Sequence, residues 1–335
     1  MASRKTLFAT LFAAVMVASM FAPTAGAAAA MDGTGGDAID VGAADVDSDV
    51  QLQTDTTNES ADRPARIDPA LRSASDETVI VVAVERELDL RAASADGQVS
   101  ISRIRSDSEA TLEPVATELE TLGANVREQF WAGNIVTAEV DLSEVDLDRV
   151  AAIDRVKSVS PNVRYERPEP PAAAAGGAAA DASAQPADDT ANYTYGLEQI
   201  NVPEFEGEFG TQGEGATVMI GDDGISNPEE GHPDLEFEKK AIVENATVDE
   251  GTLVGGTEEA HGEHTAGTAT GAADPAGDVP RYGVAPEADL LMADVFAGGA
   301  FTEDIIASME WAAENDADAA SFSLGLPSQT GLSTF

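Results

Sequence analysis

Cysteine is absent from all 335 residues, so neither a disulfide framework nor a thiolate-bound metal can serve this chain. Histidine occurs only three times. Basic residues are scarce too: 18 Lys and Arg stand against 62 Asp and Glu, for a net charge of −44. The only lysines are Lys5, Lys157, Lys239 and Lys240. Such an excess of carboxylate repels nucleic acid and anionic membrane surfaces, which sets both aside as partners. Aromatics make up 5% of the chain, and few aromatics with high charge is the mark of disorder. Against that, 43% of the residues are hydrophobic and fall into periodic segments, so most of the chain is expected to fold. A folded surface rich in acid and poor in lysine suits concentrated salt, where screening shortens the range of self-repulsion.

The chain begins with a basic MASRK, followed by an apolar stretch (TLFATLFAAVMVASMFA) and a small-x-small site at Ala25-Gly26-Ala27. Residues 1–27 therefore read as an export signal, and the protein is expected to be secreted, with no membrane contact once the signal is removed. Arg4-Lys5 is half of a twin-arginine pair and leaves the export route open. Residues 28–76, rich in Asp, Ala, Gly and Ser without hydrophobic periodicity, read as an acidic disordered linker.

Order is expected from Thr78–Val84, a β-branched run of strand length. Leu112, Val115, Leu119 and Leu122 then recur at helical spacing, with Gly123 where a helix would stop. Two strand-like runs, Val126–Trp131 and Asn134–Val140, flank a short Ala132-Gly133 turn. Ser143 and Asp146 can start a second helix, and Val156–Tyr165 supplies a last strand. The order β-α-β-β-α-β over 77–167 is that of an α+β ferredoxin-like split unit. Residues 168–191 are Pro/Ala/Gly-rich and read as a flexible linker.

From 192 to 335 the pattern changes to strands alternating with helices, which means an α/β doubly wound parallel sheet. In such sheets functional groups collect at the carboxyl ends of strands. Asp222 ends the strand Ala216–Asp222, and His261 opens a small-residue helix about 40 residues later. That pairing suggests a carboxylate fixing the tautomer of an imidazole base. His261 and His264 also share a helix face, as two zinc ligands would, although no third ligand is evident.

GDDGISNPEEGHPDL (221–235) resembles the aspartate box of subtilisin-like serine proteases, and HGEHTAGT (261–268) resembles their histidine box. YGVAPEADLLMADVF (282–296) and SFSLGLPS (321–328) are similar to the next two landmarks, and YGLEQINVPEF (195–205) to the mature N-terminal segment. The 77–167 unit resembles the propeptide of this family, which assists folding and inhibits the enzyme as an intramolecular partner. The resemblance implies Asp222 and His261 as catalytic residues. It makes Ser323, Leu324 and Gly325 a strand that binds a polypeptide substrate, and Asp234 a candidate ligand for a structural calcium ion; no organic cofactor is implied. Three residues depart from the pattern: Gly221 stands for a large apolar residue, Asp223 for Ser or Thr, and Glu263 for Thr. Adaptation of the surface to salt accounts for the two acids but not for Gly221.

The family's serine box and oxyanion asparagine do not occur in the sequence. Ser308, Ser321, Ser323, Ser328 and Ser333 follow His261 without lying in such a box. Residues 192–335 are thus expected to be the N-terminal half of a peptidase domain, with an open sheet edge and no activity alone. Two functions compete: the N-terminal part of a secreted endopeptidase precursor, or a binding protein whose propeptide unit inhibits or chaperones another subtilase.

Overall fold

The computed structural model describes residues 65–74, 76–90, 100–167, 192–227, 230–251, 253, 261–277 and 279–326. The export signal and both proposed linkers, apart from residues 65–74 and 76, lie outside these. Among the described residues no helix is long and apolar enough to cross a membrane.

The first unit contains β1 (Arg66–Ile67), α1 (Pro69–Ser73), β2 (Glu77–Val84), α2 (Ile101–Thr121), β3 (Asn125–Phe130), β4 (Ile135–Asp141), α3 (Leu147–Ala151) and β5 (Val156–Pro161). Its sheet runs β1-β5-β2-β4-β3, and setting β1 aside leaves the order of a ferredoxin-like unit. Among the described residues, regular structure starts at Arg66 rather than Thr78, because Asp68 caps α1 through the Ala70 amide and β1 pairs parallel to β5. The helix-period leucines do form one face of α2, buried with Val82, Val136 and Val140 in the unit's core. The last strand is shorter than its sequence suggests. It ends at Pro161, and the chain beyond leaves the sheet.

The second unit contains α4 (Tyr195–Gln199), α5 (Val202–Phe209), β6 (Thr217–Asp222), β7 (Phe237–Glu244), β8 (Thr247–Glu250), α6 (His261–Thr270), β9 (Asp289–Asp294), α7 (Thr302–Glu314) and β10 (Ala319–Phe322). Its sheet order is β10-β6-β9-β7-β8, parallel except for β8, with β10 at an edge. This is the α/β architecture that alternating strands and helices imply. Gly221 now has a reason: a Cβ there would run into the ring of Phe322 on β10, so glycine lets the phenyl group lie across β6.

Helix α7 lies between the two units. Ile305, Ile306, Met309 and Trp311 are buried in one core that takes Val81, Phe130 and Ile135 from the first unit and Met219, Leu291 and Ala293 from the second. Polar contacts frame it. Arg127 pairs with Glu303 at 3.0 Å, Arg105 pairs with Glu314, and the Ala132 amide donates to Glu310 at 2.8 Å. Asn162 accepts from the amide of Glu303, and Thr302 donates from its own amide to Val163.

Candidate active site

Asp222 ends β6 and is fully buried; His261 is the first residue of α6. The helix can come this close because Gly262 has no side chain: a Cβ would meet the Gly224 carbonyl, Met292 and Asp222 itself. Nδ1 of His261 lies 3.0 and 2.9 Å from the two oxygens of Asp222. A carboxylate only accepts, so Nδ1 carries the proton, and in the neutral imidazole Nε2 presents a lone pair. The imidazole remains 27% exposed while Asp222 is shut off, so the free nitrogen is the reachable one.

Asp222 is held from three further directions: its Oδ2 accepts from the Thr265 hydroxyl at 3.0 Å, its Oδ1 from the Asp223 amide at 2.9 Å, and its main-chain carbonyl from the amide of Val295. Burial pushes the Asp222 carboxyl above the usual range, and the donors from His261, Asp223 and Thr265 act against that. Asp294, at the end of the neighbouring β9, is raised to about 6 by burial and by the charges of Asp223 and Asp222. Its Oδ1 accepts from the amides of Phe296 and Ala297 and closes the turn after β9.

Asp223 is not the surface acid that adaptation to salt suggests. Its residue is 8% exposed. Oδ1 accepts from the Gly262 amide at 2.7 Å, at the positive end of α6, and Oδ2 pairs with Arg167 at 2.7 Å. Sequence reasoning missed the ion pair because Arg167 ends the first unit and is distant in the chain. Glu263 does face away from the dyad, toward Ser226 and toward His232 Nε2 at 3.7 Å. His264 is exposed and apart from the dyad, so the two-histidine metal reading gains nothing from the geometry.

The segment 321–325 lies beside this site. Gly325 exchanges two main-chain hydrogen bonds with Glu166, at 2.8 and 2.9 Å, in an antiparallel bridge. Just upstream, Tyr165 donates its amide to Ala300 and packs with Leu324 against the shared core. Residues 164–167 thus bridge first to Phe301 and then, through Glu166, to the segment that the sequence marks for substrate, and Arg167 reaches Asp223 beside the dyad. Ser323 is half-buried at its start.

Asp234 is committed elsewhere. Its oxygens accept from the Tyr282 hydroxyl at 2.6 Å and the Ala276 amide at 2.8 Å, and its own amide donates to His232 Nδ1. Among the described residues there is no group of three or more acids and histidines that could hold a metal.

Residues 213–333 match the model described as the subtilase family. This part of the chain is similar to that family. Among solved structures, the chain is similar to fervidolysin from Fervidobacterium pennivorans, a keratinolytic enzyme related to subtilisin. The two share 19% identity, and the match covers 78% of this chain and 37% of that one at a TM-score of 0.45. It is also similar to a mutant of the epidermin leader peptide processing serine protease from Staphylococcus aureus, at 11% identity. That match covers 75% of this chain and 51% of that one at a TM-score of 0.42. The chain thus spans well under two thirds of either relative. No curated protein matches it. The matched segment contains the Asp222–His261 dyad, Asp223 and Gly325.

Proposed function

We propose that this chain is the N-terminal part of a secreted subtilisin-like serine endopeptidase precursor, whose first unit occupies the substrate cleft of the second. The observation that carries the reading is the dyad beside a strand-pairing segment: a buried carboxylate fixes Nδ1 of His261, while Gly325 holds an extended peptide next to it. In acyl transfer that imidazole takes the proton of a serine nucleophile, and the carboxylate steadies the imidazolium that forms. The acidic, lysine-poor composition supports work in high salt, and the apolar N-terminal stretch supports export.

The first unit inhibits by presenting residues 164–167 as a substrate would lie. The chain holds the base and its carboxylate but no serine box, so this polypeptide by itself forms no acyl-enzyme. The alternative of a free-standing inhibitor of another subtilase is disfavoured, because such a protein has no use for an assembled Asp222–His261 pair.

The test is spectroscopic and chemical. A His261 Nδ1 proton bonded to a buried carboxylate gives a far-downfield NMR signal, which Asp222→Asn should abolish. A fluorophosphonate probe should leave the chain unlabelled. A stoichiometric adduct would place a nucleophile on this chain and refute its inactivity, whereas a missing downfield signal in the parent would refute the dyad.

A further inference from the structure

We infer that Arg86 is the countercharge of Glu310 across the interface between the two units, acting through the Trp131–Ala132 peptide group rather than by contact. The inference rests on the reading of the first unit as the occupant of the second unit's cleft, and it names a positioning residue that sets how firmly that unit is held. Arg86 lies just beyond β2, with its side chain 11% exposed. Its Nη2 donates to the Trp131 carbonyl at 2.6 Å and to that of Ala132 at 3.1 Å. Its Nη1 donates to Ser108 Oγ at 2.8 Å and to the Ile104 carbonyl at 3.3 Å. At the far end of the Trp131–Ala132 peptide group, the Ala132 amide donates to Glu310 Oε1 at 2.8 Å.

Three features make this a relay rather than a brace for the turn. First, a trans peptide group points its C=O and N–H in opposite directions, so cation and carboxylate stand at its two ends. A cation on the oxygen polarises the group and strengthens the N–H as a donor. Second, the peptide group is fixed in place, because the buried Ser108 hydroxyl also donates to the Trp131 carbonyl, at 2.9 Å. Third, the charges around it are unevenly matched. Arg86 faces Asp107, 3.8 Å from Nη1, and also feels the charge of Glu310. Glu310 meets Arg105 from α2 and Glu314 from its own helix, but Arg105 is paired with Glu314 and so is shared. The effect depends on pH. Below about 8 Glu310 is protonated while docked, and Arg86 only orders the turn. Above it the carboxylate is ionised, and the cation offsets a charge that burial opposes. The three carbonyls keep Arg86 in place whether glutamate or glutamine stands at 310.

The experiment is amide hydrogen exchange on the full chain at about pH 6 and about pH 9.5, on either side of the Glu310 transition. The reporters are the amides of Thr302 and Glu303, which bond to Val163 and Asn162 across the interface and make no bond to Arg86. The β2–β4 ladder reports folding of the first unit itself. Arg86→Gln keeps a donor for the carbonyls and loses the charge. It should cut protection of the two reporters about tenfold more at the higher pH than at the lower, and Arg86→Lys should restore most of that difference. In a Glu310→Gln chain the loss caused by Arg86→Gln should be the same at both values. An equal loss at both pH values without Glu310→Gln would overturn the relay, leaving docking in place. Unprotected reporters in the parent would overturn docking and the cleft reading with it. If Arg86→Gln does not fold, the parent alone carries the test by NMR. Its Ala132 amide proton and Arg86 guanidinium carbon should titrate together with a midpoint near about 8. A guanidinium signal that ignores that transition would overturn the proposal.

Discussion

Glu310 should make docking of the first unit depend on pH, and Glu310→Gln should remove its share of that dependence. The carboxylate sits on α7 with its Oε1 2.8 Å from the Ala132 amide, in the turn between β3 and β4. Burial raises it from 4.5 to about 8. The Ala132 and Trp131 amides and Arg105 act against that, while the charge of Glu314 adds to it. If the first unit lifts away, Glu310 faces water and returns to its ordinary value. Between 4.5 and about 8 the docked state therefore holds a proton that the undocked state has lost. Docking is strongest at acid pH, weakens as pH rises through that window, and levels off above it.

Each pH unit of the window is equivalent to about 1.4 kcal/mol, which sets a ceiling near about 5 kcal/mol; relaxation and water entry bring the expected figure to about 2–3 kcal/mol. Glutamine keeps an acceptor for Ala132 and never ionises. The assay is urea denaturation at a series of pH values, followed by the fluorescence of Trp131, packed against α7, and of Trp311, on α7, both buried. The parent's midpoint should fall as pH rises, and that of Glu310→Gln should fall less and lie higher at pH 8 and above. Burial also raises Glu303 and Asp304, and these keep their own contribution to the slope. Superimposable profiles for parent and variant would refute the assignment.

Two further perturbations test the packing that positions the site. Gly221→Val should cost about 2–4 kcal/mol in denaturation experiments, because the new side chain meets the Phe322 ring; Phe322→Ala in the same chain should recover part of the loss. Arg281→Met should lower stability by about 3 kcal/mol, since the buried guanidinium pairs with Glu206 at 2.6 Å and donates to the carbonyls of Gly283 and Val284. A change below about 0.5 kcal/mol in either case would contradict the packing described.

The elements legible in the sequence are those with a local physical cause. The period of Leu112, Val115 and Leu119 marks α2, and the β-branched run after Glu77 marks β2, because the pattern and the packing share one repeat. The dyad was legible because Asp222 and His261 sit in motifs that specify their neighbours. What sequence reasoning missed depends on contacts between distant residues. Gly221 looks like a weakness in a strand until Phe322, about a hundred residues later, is placed against it. Asp223 looks like one more surface acid until Arg167 arrives from the other unit. The strand ascribed to 156–165 stops at Pro161, because after a last bond from Asn162 to Val79 the residues beyond find partners in the second unit. Asp234 shows the same limit: its motif position does not reveal that its side chain accepts from Tyr282 and Ala276.

Helix α7 is a wall shared by two rooms, and that constrains how the two halves of the chain can drift in sequence over evolutionary time. Glu303 is tied to the side chain of Arg127 and Glu314 to that of Arg105, so these pairs should covary, a loss of charge at one member being matched at the other. Glu310 is bound to a main-chain amide, which mutation cannot alter short of proline. Position 310 should therefore alternate between glutamate and glutamine without any compensating change in the first unit. The helix thus records two kinds of inheritance along one face, one negotiated between side chains and one fixed by backbone.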